Sequence, residues 1–221
     1  MRREVDILEI SDGKLYESSD LVKADCGGCE GCSSCCCGMG ESIILDPMDI
    51  YHLTTNLKKS FEELLADAVS LSVYDGLILP HIQMESNRDA CFFLSQEGRC
   101  NIHDFRPGIC RLFPLGRYYE ENGFRYFLQV HECKKQNRTK VKVKKWLGIP
   151  DLQAYEAYIL QWHDFTKRVQ EHLDGQDEAY IKRIDMFILQ HFYIEKYAGD
   201  NFYSQFEERL KKAKEVIRIF E

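Results

Sequence analysis

Six cysteines crowd into twelve residues, Cys26-Gly-Gly-Cys29-Glu-Gly-Cys32-Ser-Ser-Cys35-Cys36-Cys37, and four more follow at Cys91, Cys100, Cys110 and Cys133. Packing gives no reason to place cysteine at every third position and then three in a row. A sulfur-ligated metal centre does, because each ion or cluster draws several thiolates into a volume a few ångströms across. Two registers fit. Cys26, Cys29, Cys32 and Cys36 reproduce the C-x2-C-x2-C-x3-C spacing of bacterial iron–sulfur ligation, with Cys37 where a proline usually follows. Cys29, Cys32, Cys35 and Cys36 give C-x2-C-x2-C-C. Successive side chains of an extended segment point to opposite faces, so Cys35 and Cys36 are expected to serve two different centres.

The four later cysteines are widely spaced, unlike the paired knuckles of small zinc modules. They bring sulfur from separate elements, so a metal would tie together the first two thirds of the chain, and its removal should unfold that part. Thiolate sites carry negative charge; Arg106 and Arg111 flank Cys110 and are placed to offset it, while Arg88 reads as surface. His103 and His131 lie within three residues of a cysteine, but sulfur is already in good supply. No catalytic residue emerges. Ser33 and Ser34 have no base with an orienting partner, and Asp46, Asp49, Glu62 and Glu63 sit where carboxylates start helices.

The elements that must position these sulfurs can be traced along the chain. Residues 3–9 alternate like a strand, and Asp12-Gly13 supplies a turn. Ser42–Leu45 reads as a strand, and Asp46-Pro47 opens a helix to about Leu57. Ser60 with Glu63 forms a capping box for a helix to about Val69. Strands are expected at Leu77–Met84 and Cys91–Leu94, a turn at Glu97-Gly98, a short helix over Asp104–Leu112, and a hairpin through Glu121-Asn122-Gly123. Beyond Thr139 strand signals stop. Leu152, Tyr155, Ile159, Trp162, Phe165, Val169 and Leu173 form one apolar helical stripe, and two further helices carry Tyr180–His191 and Phe202–Phe220. His191, on such a stripe, reads as a core histidine. The fold class is therefore α+β: a small irregular cysteine-rich metal-binding core with short strands and helices, followed by a C-terminal helical hairpin or bundle. The expected division is 1–138 for the cysteine-cluster domain and 139–221 for the helical region.

At 221 residues, with 44% hydrophobic and 29% charged residues, the chain can bury a core without covalent staples. Its net charge of −7 gives no support to nucleic-acid binding as the main task. The basic run Lys134–Lys145 reads as a solvated face or linker. No stretch approaches the ~20 apolar residues of a membrane span, and no signal-peptide core follows Met1. A cytoplasmic setting is expected, where thiols stay reduced and cysteines act as ligands instead of bridges.

These motifs resemble the YkgJ-like cysteine-cluster family, proteins described as chelating zinc or iron through a C-x2-C-x2-C-C signature. Cys29-Glu-Gly-Cys32-Ser-Ser-Cys35-Cys36 fits that signature. Leu45–Leu53, Cys91-Phe-Phe-Leu94, Gly98-Arg-Cys100-Asn-Ile-His103, Arg106-Pro-Gly-Ile-Cys110-Arg-Leu-Phe-Pro114 and Cys133 look like its remainder, so the resemblance covers residues 25–135. It implies eight metal ligands, Cys29, Cys32, Cys35, Cys36, Cys91, Cys100, Cys110 and Cys133, with Cys26 and Cys37 outside the pattern. The cofactor expected is an iron–sulfur cluster or zinc, in a redox, metal-handling or sensing role. Two alternatives stand beside it: a structural zinc module whose helical tail binds a protein partner, and a protein-modifying enzyme similar to flagellin lysine N-methylases. The latter lacks support from any G-x-G-x-x-G loop for a methyl-donor cofactor.

Overall fold

The computed structural model describes residues 7–27, 32–135 and 137–218. Helix α1 (Ile7–Ile10) replaces the last part of the strand expected over 3–9, whose first residues lie outside the described ones; strands β1 (Ser11–Tyr16) and β2 (Leu21–Asp25) follow. Helix α2 (Pro47–Leu57) starts where Asp46-Pro47 predicts. The Asp46 carboxylate accepts from Asp49 N at 2.9 Å, and the Asp49 carboxylate accepts from Asp46 N at 3.1 Å. Ser60 and Glu63 cap α3 (Phe61–Leu65) in the same reciprocal way.

Helix α3 stops at Leu65, short of the predicted Val69, because Val69 opens β3 (Val69–Tyr74), which pairs residue for residue with β4 (Leu77–Ile82). Asp75 and Gly76 join them, both at positive φ, as a two-residue turn matching strand twist requires. The predicted strand at Ser42–Leu45 reduces to an isolated bridge, Ile44 to His81. Next come β5 (Met84–Glu85), β6 (Ala90–Cys91), a 3-10 turn at His103–Phe105, and α4 (Gly108–Leu112). The single helix expected over Asp104–Leu112 is thus two pieces, broken at Arg106-Pro107. Strands β7 (Leu115–Glu120) and β8 (Gly123–Gln129) form the predicted hairpin. The basic run, expected as linker, instead supplies β9 (Thr139–Lys142) and α5 (Val143–Leu147), and long helices α6 (Leu152–Leu173), α7 (Glu178–Leu189) and α8 (Phe202–Ile217) complete an α+β chain.

Contacts gather the chain into two units, and the division is not one cut at 138/139. One unit is Arg2–Ile43 with Met84–Tyr155; the other is Ile44–Gln83 with Glu156–Glu221. The reason is long-range pairing. Strand β9 runs antiparallel to β2, Leu21 opposite Lys142 and Asp25 opposite Thr139, so the lysine run belongs with the chain's beginning. In this sulfur unit, β1, β8 and β7 form one antiparallel sheet. Val22, Ala24, Leu112, Leu115, Tyr126, Leu128, Val143 and Leu147 make its buried core.

The second, aromatic unit packs α2, α3 and the β3–β4 hairpin with α7 and α8. Trp162, Phe192, Tyr193 and Phe206 meet ring to ring at 5.1–6.2 Å. Two of its buried hydroxyls are anchored: Tyr158 Oη accepts from Met48 N at 3.1 Å, and Tyr193 Oη donates to the Leu45 carbonyl at 3.3 Å. His191 is a core histidine as expected, 6% exposed, with Nε2 donating to the Arg209 carbonyl at 3.1 Å.

Candidate metal centre

Every described cysteine belongs to the sulfur unit, and the aromatic unit has none in its sequence. None of them forms a disulfide. Cys29 lies outside the described residues.

The triple cysteine is not extended. Cys36 N donates to the Ser33 carbonyl at 2.8 Å, closing a 3-10 turn over Ser34–Cys36. Such a turn advances about 120° per residue, not the 180° of a strand, so neighbouring sulfurs are not driven to opposite faces. Cys35 and Cys36 act on each other's protonation from adjacent positions of the turn. The extended backbone on which the expected split of this pair between two centres rests is therefore absent here.

Short backbone bridges then bring in the distant sulfurs. Cys37 pairs with Ala90, and Gly38 N donates to the Asp89 carbonyl at 2.8 Å. Gly38 holds φ at +68°, and a Cβ there would stand 3.7 Å from the Asp89 carboxylate. The pairing sets the turn bearing Cys36 beside β6, which carries Cys91. Leu94 N reaches back to the Cys91 carbonyl at 2.8 Å, and Leu94 bridges to Cys100. Cys110 sits half-buried on α4, and Cys133 in the segment leading to β9.

The electrostatics report the gathering. The Cys36 thiol donates to Cys35, which holds Cys35 below the usual thiol range, with the Arg106 guanidinium helping. The same bond pushes Cys36 well up; burial and the charges of Cys35, Cys91 and Cys100 add to it. Burial pushes Cys91 up to about 11, with Cys100, Cys35 and Cys37 contributing. Cys100 also rises through burial, opposed by Arg106 and reinforced by Cys35. Convergent sulfurs of which Cys36, Cys91 and Cys100 are held protonated beside a lowered Cys35 are soft donors whose mutual repulsion as thiolates a bound cation relieves. In kind they suit zinc or iron; among the described residues no group of three or more His, Cys, Asp or Glu side chains is placed to hold an ion.

The positive charges sort differently from their order in sequence. Arg106 lies within range of Cys35 and Cys100, whereas Arg111 donates to the Asp104 carbonyl. Arg88 pairs with Glu85 and donates to the Leu94 carbonyl at 3.3 Å. His103 Nε2 accepts from Arg106, and burial followed by that guanidinium lowers its pKa; His131 is exposed.

A second grouping faces a small, partly open cavity lined by Cys26, Cys32, Cys35 and Cys133 with Phe113, Pro114, Trp146 and Lys135 among its walls. Cys32 Sγ lies 3.6 Å from Ser34 Oγ, and hydrogen bonds from the Ser34 backbone and hydroxyl to the thiolate, then the Lys135 ammonium, hold the Cys32 pKa down. Trp146 is fixed by Nε1 donating to the Phe113 carbonyl at 3.2 Å. Sequence reasoning puts Lys135 in a solvated run and misses this role; its place two residues after Cys133 is the available signal. A family model described as "CxxCxxCC: putative zinc- or iron-chelating domain" matches residues 28–143, more than half of the chain. No solved structure matches.

Proposed function

The chain belongs to the CxxCxxCC family of zinc- or iron-chelating domains, and from that premise we propose that Cys29, Cys32, Cys35, Cys36, Cys91, Cys100, Cys110 and Cys133 are its metal ligands. The metal is held as an iron–sulfur cluster or as zinc, in a redox, metal-handling or sensing role. One observation carries the reading: backbone bridges, Cys37 to Ala90 and Leu94 to Cys100, gather Cys35, Cys36, Cys91 and Cys100 from a 3-10 turn, a short strand and a loop. Adjacent Arg106 supports it, since thiolate sites need charge compensation. Bound iron–sulfur would supply an electron-transfer couple, and bound zinc a cross-link of the fold. The protein's own part is to converge the sulfurs, keep them half-buried and temper their charge.

Metal and acid-labile sulfide analysis on anaerobically purified chain tests this. Stoichiometric metal with sulfur coordination is expected, lost on Cys91→Ser or Cys100→Ser substitution. Iron with sulfide assigns the redox form; zinc without sulfide assigns the structural form. A folded chain carrying neither metal, with all thiols open to titration, overturns the proposal.

A further inference from the structure

Cys26 stands outside the eight-sulfur set and outside the stretch that the family model matches, yet it lines the cavity with Cys32, Cys35 and Cys133. Its place there is built by the ribbon beneath it. Strand β2 ends at Asp25, opposite Thr139, and the Asp25 carboxylate ties the two strands together at that end: Oδ1 accepts from Gly27 N at 3.0 Å and Oδ2 from Thr139 Oγ1 at 3.4 Å. Antiparallel pairing then means that the residue after Asp25 and the residues before Thr139 leave the ribbon at the same end. Those residues are Cys26 on one side and the segment carrying Cys133 on the other. Cys32 comes from the loop, and Lys134 and Lys135 add positive charge to a wall otherwise made of Phe113, Pro114 and Trp146. Backbone bridges gather Cys35 and Cys36, on their turn, with Cys91 and Cys100; the sulfurs sharing the cavity with Cys26 are Cys32, Cys35 and Cys133. Two groupings meet at Cys35.

We propose that Cys26 is a ninth sulfur ligand, and that with Cys32 and Cys133 it forms a thiolate site for a zinc or iron ion at this cavity, separate from the grouping around Cys36, Cys91 and Cys100. The inference rests on the reading of the other cysteines as ligands and extends it to a residue beyond the family's signature. In this chain both cysteine registers are then used, Cys26 with Cys32 at the cavity and Cys36 with Cys91 and Cys100 at the bridged loop. Cys37 serves as the internal control: it too lies outside the signature, but it is exposed and is not among the cavity-lining residues.

The test is iodoacetamide labelling of the full chain under anaerobic conditions, metal-free and with Zn²⁺ alone added, mapped by peptide mass spectrometry. Zinc is expected to protect Cys26 and Cys133 together with Cys91 and Cys100, and to leave Cys37 reactive. The Cys26→Ser chain should bind one zinc ion fewer by native mass spectrometry, or lose on the order of tenfold or more in affinity against a competing chelator; Cys37→Ser should keep the full complement. Labelling of the unsubstituted chain decides the matter even if Cys26→Ser folds poorly. Equal labelling of Cys26 with and without zinc, while Cys91 and Cys100 become protected, overturns the inference and leaves the eight-ligand reading standing. Protection of no thiol at all, with no zinc retained, overturns both.

Discussion

A carboxylate as deeply placed as Asp185, 3% exposed, is ionised only at a cost, since burial disfavours the charged form. Burial raises its pKa, and the one compensation is Ile78 N donating to Oδ1 at 3.2 Å. As pH rises, the unfolded carboxyl loses its proton first and the folded one later. In that window the folded state binds more protons, so stability falls as pH climbs above the ordinary carboxyl range. Asp185→Asn keeps an oxygen to accept from Ile78 and cannot ionise. The substituted chain should melt higher than the parent at neutral pH, with the gap closing in acid; equal melting temperatures across that pH range would refute the assignment.

Two single residues govern whole elements. Beyond α7 the chain makes one π turn, Gln190–Ile194, whose end leaves carbonyls without helical partners. Arg209 on α8 takes them: Nη1 donates to the His191 carbonyl at 2.9 Å and the Glu195 carbonyl at 2.6 Å, Nη2 to Lys196 at 2.8 Å, and the guanidinium lies 3.8 Å from the Tyr197 ring centroid. Arg209→Met should cost about 2–4 kcal/mol, because one buried and two partly buried carbonyls lose a charged donor. Arg209→Lys should recover part of it, an ammonium being unable to span the fork. Urea unfolding measures both. In the sulfur unit the governing position is Gly116 on β7, opposite Phe127 on β8. The Phe127 ring lies where a side chain at 116 would begin. Gly116→Val should therefore displace the ring and cost about 1–3 kcal/mol, read in the same way.

At the scale of the molecule, the two units differ in what stabilises them. The aromatic unit has an extensive ring-packed interior, while the sulfur unit combines a modest core with nine described thiols. A structural metal of the zinc-finger kind supplies about 10–16 kcal/mol of binding energy, enough to decide whether a region of this size folds. Chelation should therefore melt Arg2–Ile43 with Met84–Tyr155 and spare the rest, not the first two thirds of the chain as a block. The two tryptophans separate the outcomes, since Trp146 lies in the sulfur unit and Trp162 in the aromatic one. In single-tryptophan chains, chelator should shift Trp146 emission to the red and leave Trp162 unchanged. A simultaneous shift of both would show that the units fold as one.

The sequence determined the family and the local grammar: a cysteine-cluster signature of the zinc- or iron-chelating kind, the caps at Asp46 and Ser60, the Glu121-Asn122-Gly123 hairpin and the three long helices. Each of these rests on interactions within a few residues, so each is legible without a fold. Tertiary structure decided which of the later segments reach the sulfurs and which join the helices. It turned the lysine run into β9 by pairing it with β2, and it drew Ile44–Gln83 out of the cysteine region. It also wound Ser34–Cys36 into a turn, set Cys91 and Cys100 beside it, and brought Cys26 to the cavity. Contacts between residues scores of positions apart leave no periodic trace in either partner, because the free energy that favours them exists only once both strands are in place.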